Sequence, residues 1–296
     1  MDTFATLRDG RRLAYTEWGT ADGAPVLYFH GTPASRTWCP DEAATVEAGV
    51  RLIIVDRPGI GRSDPKHPRT YGDWAADVLE LADGLGLSTF AVVGVSAGGP
   101  YAAACAALIP SRLTRTAIVS SRPIAWYDWE ERPGIEDQWS PEDRAEFELS
   151  RRDLEAAATL AAANYAPFVA EFQRNPQAFH ADLARAEGDR WFFTDPGRVA
   201  GFDAHTSEAW RQGVGELAWE LNAAYLPWGF RLADISVPVR IWHGSQDPHV
   251  TQDDVDFQVR AIPGSSLTVW PDRGHLGFVK HWGQIMSALA GHQTSA

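Results

Sequence analysis

Short runs of β-branched and other apolar residues recur along the chain and predict strands that are buried on both faces. Each run has four to six residues and is followed by a turn that contains glycine, proline or aspartate. The runs occupy residues 26–29, 52–55, 90–95, 116–119, 237–242 and 266–270. Strands of this composition are typical of a parallel sheet that is covered by helices on both faces.

Helix-like periodicity separates several of these runs. It is clearest from Tyr71 to Leu85, where apolar residues recur at i, i+3, i+4, i+7, i+8, i+11 and i+14. Thr70 and Asp73 are placed to cap the start of this helix. Because strands alternate with helices, the chain is predicted to be an α/β protein with a doubly wound, mostly parallel sheet.

Two parts of the chain depart from this alternation. Residues 3–7 and 12–18 flank a polar turn, which predicts an N-terminal antiparallel hairpin that leads into the sheet. After residue 121 the strand-like runs stop, and helix-forming segments with seven of the thirteen tryptophans replace them. We therefore expect an α/β core formed by residues 1–121 and 236–296, with a helical lid inserted at residues 122–235.

The charge balance disfavours several classes of partner. Lysine and arginine together number 26 and aspartate and glutamate 39, so the formal net charge is −13. Proteins that bind nucleic acids or anionic membranes carry an excess of positive charge. The one long uncharged stretch, residues 84–111, is broken by five glycines and two prolines and does not read as a membrane span. A small-molecule substrate is the expected partner, with neither nucleic acid nor a membrane.

Cysteine usage and the N-terminal residues bear on the compartment. Cys39 and Cys105 have no C-x-x-C spacing and are predicted to be free, buried residues in a reducing environment. Residues 1–18 contain several charges and no apolar segment of signal-peptide length. A cytoplasmic location is expected, and the sequence is compatible with either a monomer or a homodimer.

The sharpest motif is a G-x-S-x-G sequence at residues 94–98, between an apolar strand and a buried helix. In that context the serine occupies a strained turn, and its hydroxyl points out of the fold. Gly94 and Gly98 remove side chains that would collide at such a turn. Ser96 is therefore the predicted nucleophile.

A serine nucleophile needs a histidine base and an acid that orients the base. His275 follows the last strand-like run and Asp247 follows the preceding one, so both are expected at the same sheet edge as Ser96. The chain order Ser96, Asp247, His275 fits delivery by successive loops. Asp253 and Asp272 remain possible substitutes for Asp247.

An oxyanion hole requires two backbone N–H groups that point at the carbonyl oxygen of the substrate. Ala97, directly after the serine, supplies one. The second is expected from the His-Gly-Thr-Pro loop at residues 30–33. Because Pro33 has no N–H, Thr32 is the natural donor.

A metal site is the alternative interpretation of one cluster. His243, Asp247 and His249 have ligand chemistry and close spacing. The triad already uses Asp247, however, and His243 is expected to be a buried residue at a strand end. No metal site is therefore predicted.

Together these motifs resemble the α/β-hydrolase superfamily, in its cap-bearing branch. The resemblance rests on residues 30–33, 56–64, 94–99, 244–247 and 274–275, and it covers residues 3–121 and 236–292. It implies the roles given above for the triad and the oxyanion hole, and a fold that needs no metal or organic cofactor. A serine at the turn argues against the relatives that open epoxides or displace halide, because those use a carboxylate. His249 departs from the apolar residue that relatives often carry.

The predicted function is hydrolysis of a carboxylic ester, thioester or lactone through an acyl-serine intermediate. The lid is expected to offer apolar contacts to a small or medium hydrophobic substrate, with Trp126, Trp129 and Trp210 as candidate substrate-binding residues.

Three alternatives stay open. One is an aminopeptidase similar to proline iminopeptidase, in which the acidic cluster at residues 128–137 binds the substrate amine. Another is a carbon–carbon bond hydrolase with the same triad. The third is a ligand-binding receptor on the same fold with slow or no turnover.

Overall fold

Eight strands form one sheet in the computed structural model, which describes residues 3–123 and 126–291, except for the side chains of Trp126, Asp128 and Gln138. The strands are β1 (Thr3–Thr6), β2 (Arg12–Gly19), β3 (Ala24–Phe29), β4 (Val50–Val55), β5 (Phe90–Val95), β6 (Leu113–Val119), β7 (Val239–Gly244) and β8 (Ser266–Trp270). Their order across the sheet is β1-β2-β4-β3-β5-β6-β7-β8.

The pairing confirms the predicted doubly wound, mostly parallel sheet. Strands β3 to β8 pair with one another in parallel, whereas β1 pairs with β2, and β2 with β4, in antiparallel fashion. The N-terminal hairpin is therefore present at one edge, as expected. The chain moves outward from β3 to β4 and then crosses to β5 on the other side. This reversal creates a crevice at the carboxyl ends of β3 and β5, the usual place for a site in an open α/β sheet.

Helices cover both faces of the sheet. They are α1 (Glu42–Glu47), α2 (Tyr71–Gly84), α3 (Gly99–Leu108), α4 (Trp126–Glu131), α5 (Pro141–Ser150), α6 (Leu154–Arg174), α7 (Pro176–Leu183), α8 (Pro196–Ala209), α9 (Val214–Asn222), α10 (Gln252–Ala261), α11 (Gly277–Lys280) and α12 (Trp282–Ala290). The predicted start of α2 is confirmed, because the side chain of Thr70 accepts from the Asp73 N–H and the Asp73 carboxylate accepts from the Thr70 N–H.

Alternate side chains of β3 enter two separate hydrophobic cores, one on each face of the sheet. Phe29 packs edge-on against Trp74 of α2 at 5.2 Å between ring centroids. Tyr28 points the other way and packs against Trp282 of α12 at 5.3 Å. Because β3 is a central strand buried on both faces, the start of the loop that follows it is fixed relative to the sheet.

Between β6 and β7 the part of the chain that the structure describes forms six α-helices, α4 to α9, and no strand. We call residues 126–234 the inserted helices. They share a third apolar cluster with the core, in which Phe172, Trp210 and Leu217 group with Ile60 of the turn after β4. The exact boundaries of a separate lid, at residues 122 and 235, remain a prediction.

Two smaller expectations, about the cysteines and His243, are also met. Cys39 and Cys105 are free and buried. His243 lies in β7 and is 2% exposed. Among the residues described, none of the helices combines the length and the apolarity that crossing a bilayer requires.

Candidate active site

The turn between β5 and α3 places Ser96 in a left-handed backbone conformation, with φ of 53°. Gly94 and Gly98, each two residues from Ser96, have no room for a side chain. A Cβ at Gly94 would lie 2.2 Å from the carbonyl oxygen of Gly98, and a Cβ at Gly98 would lie 2.0 Å from that of Phe29. The strained serine is thus held by backbone packing on both sides, in the strand–turn–helix context that the motif predicts.

The loops after β7 and β8 are joined by their backbones. The two strands pair in register, with Gly244 opposite Trp270. Beyond them, Ser245 N–H donates to the Trp270 carbonyl at 3.0 Å and Gln246 N–H donates to the Arg273 carbonyl at 2.8 Å. These bonds bring the next residues of both loops to one place above the sheet.

Asp247 and His275 meet there. The Nδ1 atom of His275 lies 2.8 Å from Oδ2 of Asp247. The other carboxylate oxygen, Oδ1, accepts from the backbone N–H groups of His249 at 2.8 Å and Val250 at 3.1 Å. A buried carboxylate with three donors is fixed in orientation, so it fixes the imidazole as well.

The electrostatics of this pair favour a charged histidine. Burial alone lowers the pKa of His275, but the carboxylates of Asp247 and Asp189 outweigh it and the net pKa lies above the ordinary 6.5. For Asp247, burial raises the pKa, and His275 together with the backbone donors brings it below its usual value. The site is therefore built to stabilise an imidazolium that forms beside Asp247.

Ser96 and His275 line the same cavity, of about 320 Å³. Among the described residues no hydrogen bond joins Ser96 to His275, and in ligand-free sites such contacts often tighten only when substrate binds. Most of the remaining lining is aromatic or aliphatic: Tyr28, Trp38, Val95, Tyr165, Phe168, Phe179, Leu183, Phe202, Leu276 and Phe278. The cavity suits a largely apolar molecule of modest size.

The predicted oxyanion donors belong to two segments, the loop after β3 and the turn that carries Ser96. Thr32 lines the cavity, and a Cβ at the preceding Gly31 would lie 3.1 Å from the Cβ of Ser96. Glycine at 31 therefore allows the loop after β3 to approach the serine closely. Ala97 is half-buried at the start of the helical turn, where the first N–H groups of a helix have no intrahelical partner.

Two of the three tryptophans expected to bind substrate, Trp129 and Trp210, do not line this cavity. Trp210 is buried behind its wall, with its ring centroid 6.1 Å from that of Phe168. Trp129 packs against Phe147 at 5.6 Å, away from the lining. The side chain of Trp126 lies outside the described part of the structure. The faces of the inserted helices that meet the cavity carry phenylalanine and tyrosine instead, and a substrate-binding role for these tryptophans stays a prediction.

The described carboxylates of the acidic cluster at residues 128–137 are not among the residues that line the cavity. Glu131 pairs with Arg231 at 3.1 Å, and the side chain of Asp137 is 84% exposed. The described residues that line the cavity include no carboxylate.

Two residues that the sequence analysis did not assign lie close to His275. The ring of His249 is perpendicular to that of His275, at 5.1 Å between centroids, and it lines the cavity. Asp189, from the inserted helices, is fully buried and accepts from the Leu276 N–H at 3.1 Å. A Cβ at Gly274 would lie 2.3 Å from the Asp189 carboxylate, so glycine there makes room for it. In the sequence, the Gly-His dipeptide at 274–275 is the only local sign of the Asp189 contact, and it does not identify Asp189 as the partner.

Within the described residues, histidine, cysteine and carboxylate side chains form no group of three that is placed to hold a metal ion. The chemistry that the described side chains do offer is nucleophilic and acid–base.

Comparison with known proteins gives a consistent picture. A sequence model of a family described as alpha/beta hydrolase fold matches residues 24–281. A protein of Streptomyces lividans named non-heme chloroperoxidase is 29% identical over 259 residues, which cover 84% of this chain and 83% of that protein. A proline iminopeptidase of Xylella fastidiosa is 33% identical over 111 residues, 36% of this chain and 35% of that protein. The solved structure of an esterase from Exiguobacterium antarcticum has a TM-score of 0.68 at 22% identity, with 98% of each chain covered.

Proposed function

Because the chain belongs to the α/β-hydrolase family, we propose that it is a serine hydrolase that cleaves a carboxylic ester, thioester or lactone. The substrate we propose is small to medium in size and hydrophobic. The inserted helices then act as a lid over the bound substrate, and no metal or organic cofactor takes part.

The observation that carries this proposal is the arrangement of three side chains at one sheet edge. Ser96 stands on a strained turn beside the cavity, His275 faces the same cavity, and His275 Nδ1 lies 2.8 Å from Asp247 Oδ2. A carboxylate at Nδ1 makes that nitrogen the donor, so Nε2 is left as the acceptor for a proton.

In the first half of the proposed reaction, Ser96 Oγ attacks the carbonyl carbon while His275 Nε2 takes the hydroxyl proton. The carbonyl oxygen becomes negative and is stabilised by the N–H groups of Thr32 and Ala97. The tetrahedral intermediate collapses, and His275 donates the proton to the leaving alkoxide or thiolate. An acyl-Ser96 ester remains.

In the second half, water attacks the acyl group and gives its proton to His275. The new tetrahedral intermediate releases the carboxylic acid, and the proton returns to Ser96. Asp247 stabilises the imidazolium in both halves, which agrees with the upward shift of the His275 pKa.

The aromatic lining supports an apolar acyl or aryl substrate. It gives less support to an aminopeptidase, because the described lining offers no carboxylate to pair with a substrate amine. A carbon–carbon bond hydrolase would use the same triad. Turnover of β-diketone substrates would distinguish it from the proposed ester hydrolase.

A second candidate activity is favoured by the relative named non-heme chloroperoxidase, which aligns with 84% of this chain. Hydrogen peroxide can replace water as the attacker of acyl-Ser96. The products are then a peroxy acid and free serine, and the peroxy acid can oxidise a halide. Formation of peroxy acid from an ester and hydrogen peroxide, lost in Ser96→Ala, is the test.

The main experiment is fluorophosphonate labelling followed by mass spectrometry, together with hydrolysis of p-nitrophenyl esters. We expect the adduct on Ser96 and loss of hydrolysis in Ser96→Ala. Ser88→Ala, an exposed serine, is the matched control and should retain full activity. An adduct elsewhere, or hydrolysis unchanged in Ser96→Ala, would refute the proposal. Tight ligand binding with negligible turnover would indicate a receptor instead.

A further inference from the structure

A buried arginine lies beneath the loop that carries Thr32. Arg57 belongs to the turn after β4 and is 0% exposed. Its guanidinium donates to the carbonyl of His30 at 2.6 Å, to the carbonyl of Gly31 at 3.2 Å and to Thr32 Oγ1 at 3.1 Å. One side chain thus holds three consecutive residues of the loop, by a rigid planar fork of donors.

The bond to Gly31 has a direct consequence for the oxyanion hole. The carbonyl of Gly31 and the N–H of Thr32 belong to the same peptide group, and in a trans peptide these two point in opposite directions. Arg57 holds the carbonyl from one side, and His30 Nδ1 lies 2.8 Å from the same oxygen. With the carbonyl turned towards Arg57, the N–H of Thr32 is turned away from it. Thr32 lines the cavity on that loop.

His30 is neutral, so its tautomer decides whether Nδ1 is this second donor. Burial and the neighbouring Arg57 charge hold the pKa of His30 well below its ordinary value. A neutral imidazole carries one N–H, and the nearby Gly31 oxygen favours the Nδ1 tautomer.

The inserted helices supply the partner of Arg57. Glu220 of α9 is 5% exposed, and its Oε1 accepts from Arg57 Nε at 2.7 Å and from Thr32 Oγ1 at 3.3 Å. Its Oε2 pairs with Arg69, which is also buried. A buried guanidinium that loses its carboxylate must move towards another partner or towards water, because an unpaired buried charge is strongly unfavourable. Movement of Arg57 would release the Gly31 carbonyl.

We propose that Arg57 and Glu220 are positioning residues that orient the Thr32 N–H as an oxyanion donor. The proposal rests on the serine hydrolase function proposed above. It assigns the inserted helices a part in the chemical step, since a carboxylate on α9 fixes the peptide group that stabilises the oxyanion.

The test compares Glu220→Gln with Glu216→Gln, one helical turn earlier on α9. Glu216 pairs with His67 at 2.9 Å and does not contact the loop at 30–33. The measurements are kcat and KM for a p-nitrophenyl ester and the Kd of an arylboronic acid, which forms a tetrahedral adduct on serine and mimics the oxyanion. Loss of a complete oxyanion donor lowers kcat about 100- to 1000-fold.

A misaligned oxyanion donor should lower kcat less than a missing one does. For Glu220→Gln we expect kcat about 10- to 100-fold lower, KM within about threefold of wild type, and boronate affinity weakened in proportion to kcat. Glu216→Gln should match the wild type in all three. A role confined to stability would lower the unfolding temperature and leave kcat and boronate affinity of the folded fraction unchanged.

Two further outcomes are decisive. A folded Glu220→Gln protein with wild-type kcat and boronate affinity overturns the positioning proposal. If that variant does not fold, Glu220→Asp keeps the charge and shortens the reach, and unchanged kcat and boronate affinity in it overturn the proposal equally. Absence of ester turnover and of a Ser96 adduct in the wild type would instead refute the proposed function.

Discussion

The sheet edge and the inserted helices face one cavity, yet they are built in different ways. At the sheet edge the backbone itself leaves no room, as the contact of 2.0 Å between a Cβ at Gly98 and the Phe29 oxygen illustrates. On the inserted helices, a Cβ at Gly215 of α9 would meet nothing within 4 Å. Ser96, Asp247 and His275 are therefore held by strand ends and tight turns, whereas side chains of the inserted helices form much of the cavity wall.

The largest effect is expected at the sheet edge, from Asp247→Asn. The amide can present a donor to His275 Nδ1, which favours the wrong imidazole tautomer and removes the charge that stabilises the imidazolium. We expect kcat for ester hydrolysis to fall about 10³- to 10⁴-fold with the fold intact. Asp253→Asn, an exposed residue of α10, is the matched control. If Asp253→Asn or Asp272→Asn lost activity and Asp247→Asn did not, the acid would have been assigned wrongly.

The second prediction contrasts two glycines directly. Gly98→Ala forces a Cβ against the backbone oxygens of Phe29 and His30, and should lower the free energy of unfolding by about 3 kcal/mol. Gly215→Ala has open space in a helix and should raise it by about 0.5–1 kcal/mol. Urea unfolding of both variants is the measurement. Equal changes in the free energy of unfolding at the two positions would show that the sheet edge and the inserted helices do not differ in this way.

This contrast explains what the sequence could predict. The placement of Ser96, Asp247 and His275, the N-terminal hairpin and the start of α2 could be predicted because each depends on a local pattern: a glycine-framed serine, a turn after an apolar run, a capping pair. The catalytic roles of the three side chains stay a prediction. Parallel strands then bring the loops together whatever lies between them in the chain. The position of Ser96, Asp247 and His275 at one edge follows from topology alone.

The cavity wall could not be predicted in the same way. Trp129 and Trp210 were reasonable candidates by size and polarity, but the rotation of each helix in a packed cluster decides which residue meets the cavity. Trp210 packs against Phe168, which lines the cavity, and does not itself line it. Asp189 and Glu220 were missed for a related reason, since each is one carboxylate among many until its buried partners are known.

The third prediction concerns the buried carboxylate where the inserted helices meet the His275 loop. Burial raises the pKa of Asp189 from 3.8 to about 6, opposed by the N–H of Leu276 and the charge of His275. The folded state therefore binds a proton more tightly than the unfolded state. The stability that this provides is complete below about pH 4 and is lost as pH rises through about 6.

Asp189→Asn mimics the protonated form at every pH. It should match the wild type near pH 4 and be more stable by about 1–2 kcal/mol near pH 8. Because the Asp189 charge raises the pKa of His275, the acid limb of kcat/KM should also move to lower pH in the variant. Glu187→Gln, exposed on the same segment, should change neither profile. A stability difference that did not depend on pH would contradict this account.

The smallest effect is expected on the cavity wall itself. Phe168 is half-buried and lines the cavity, so Phe168→Leu enlarges the cavity and leaves Ser96, Asp247 and His275 unchanged. A change of one methylene equivalent in an apolar pocket alters specificity by about 10-fold. We expect kcat/KM for longer p-nitrophenyl esters to rise by that factor relative to acetate. Trp129→Leu, away from the lining, should leave the ratio unchanged. If Trp129→Leu shifted the ratio and Phe168→Leu did not, substrate would bind elsewhere among the inserted helices, and the two regions would not share this cavity.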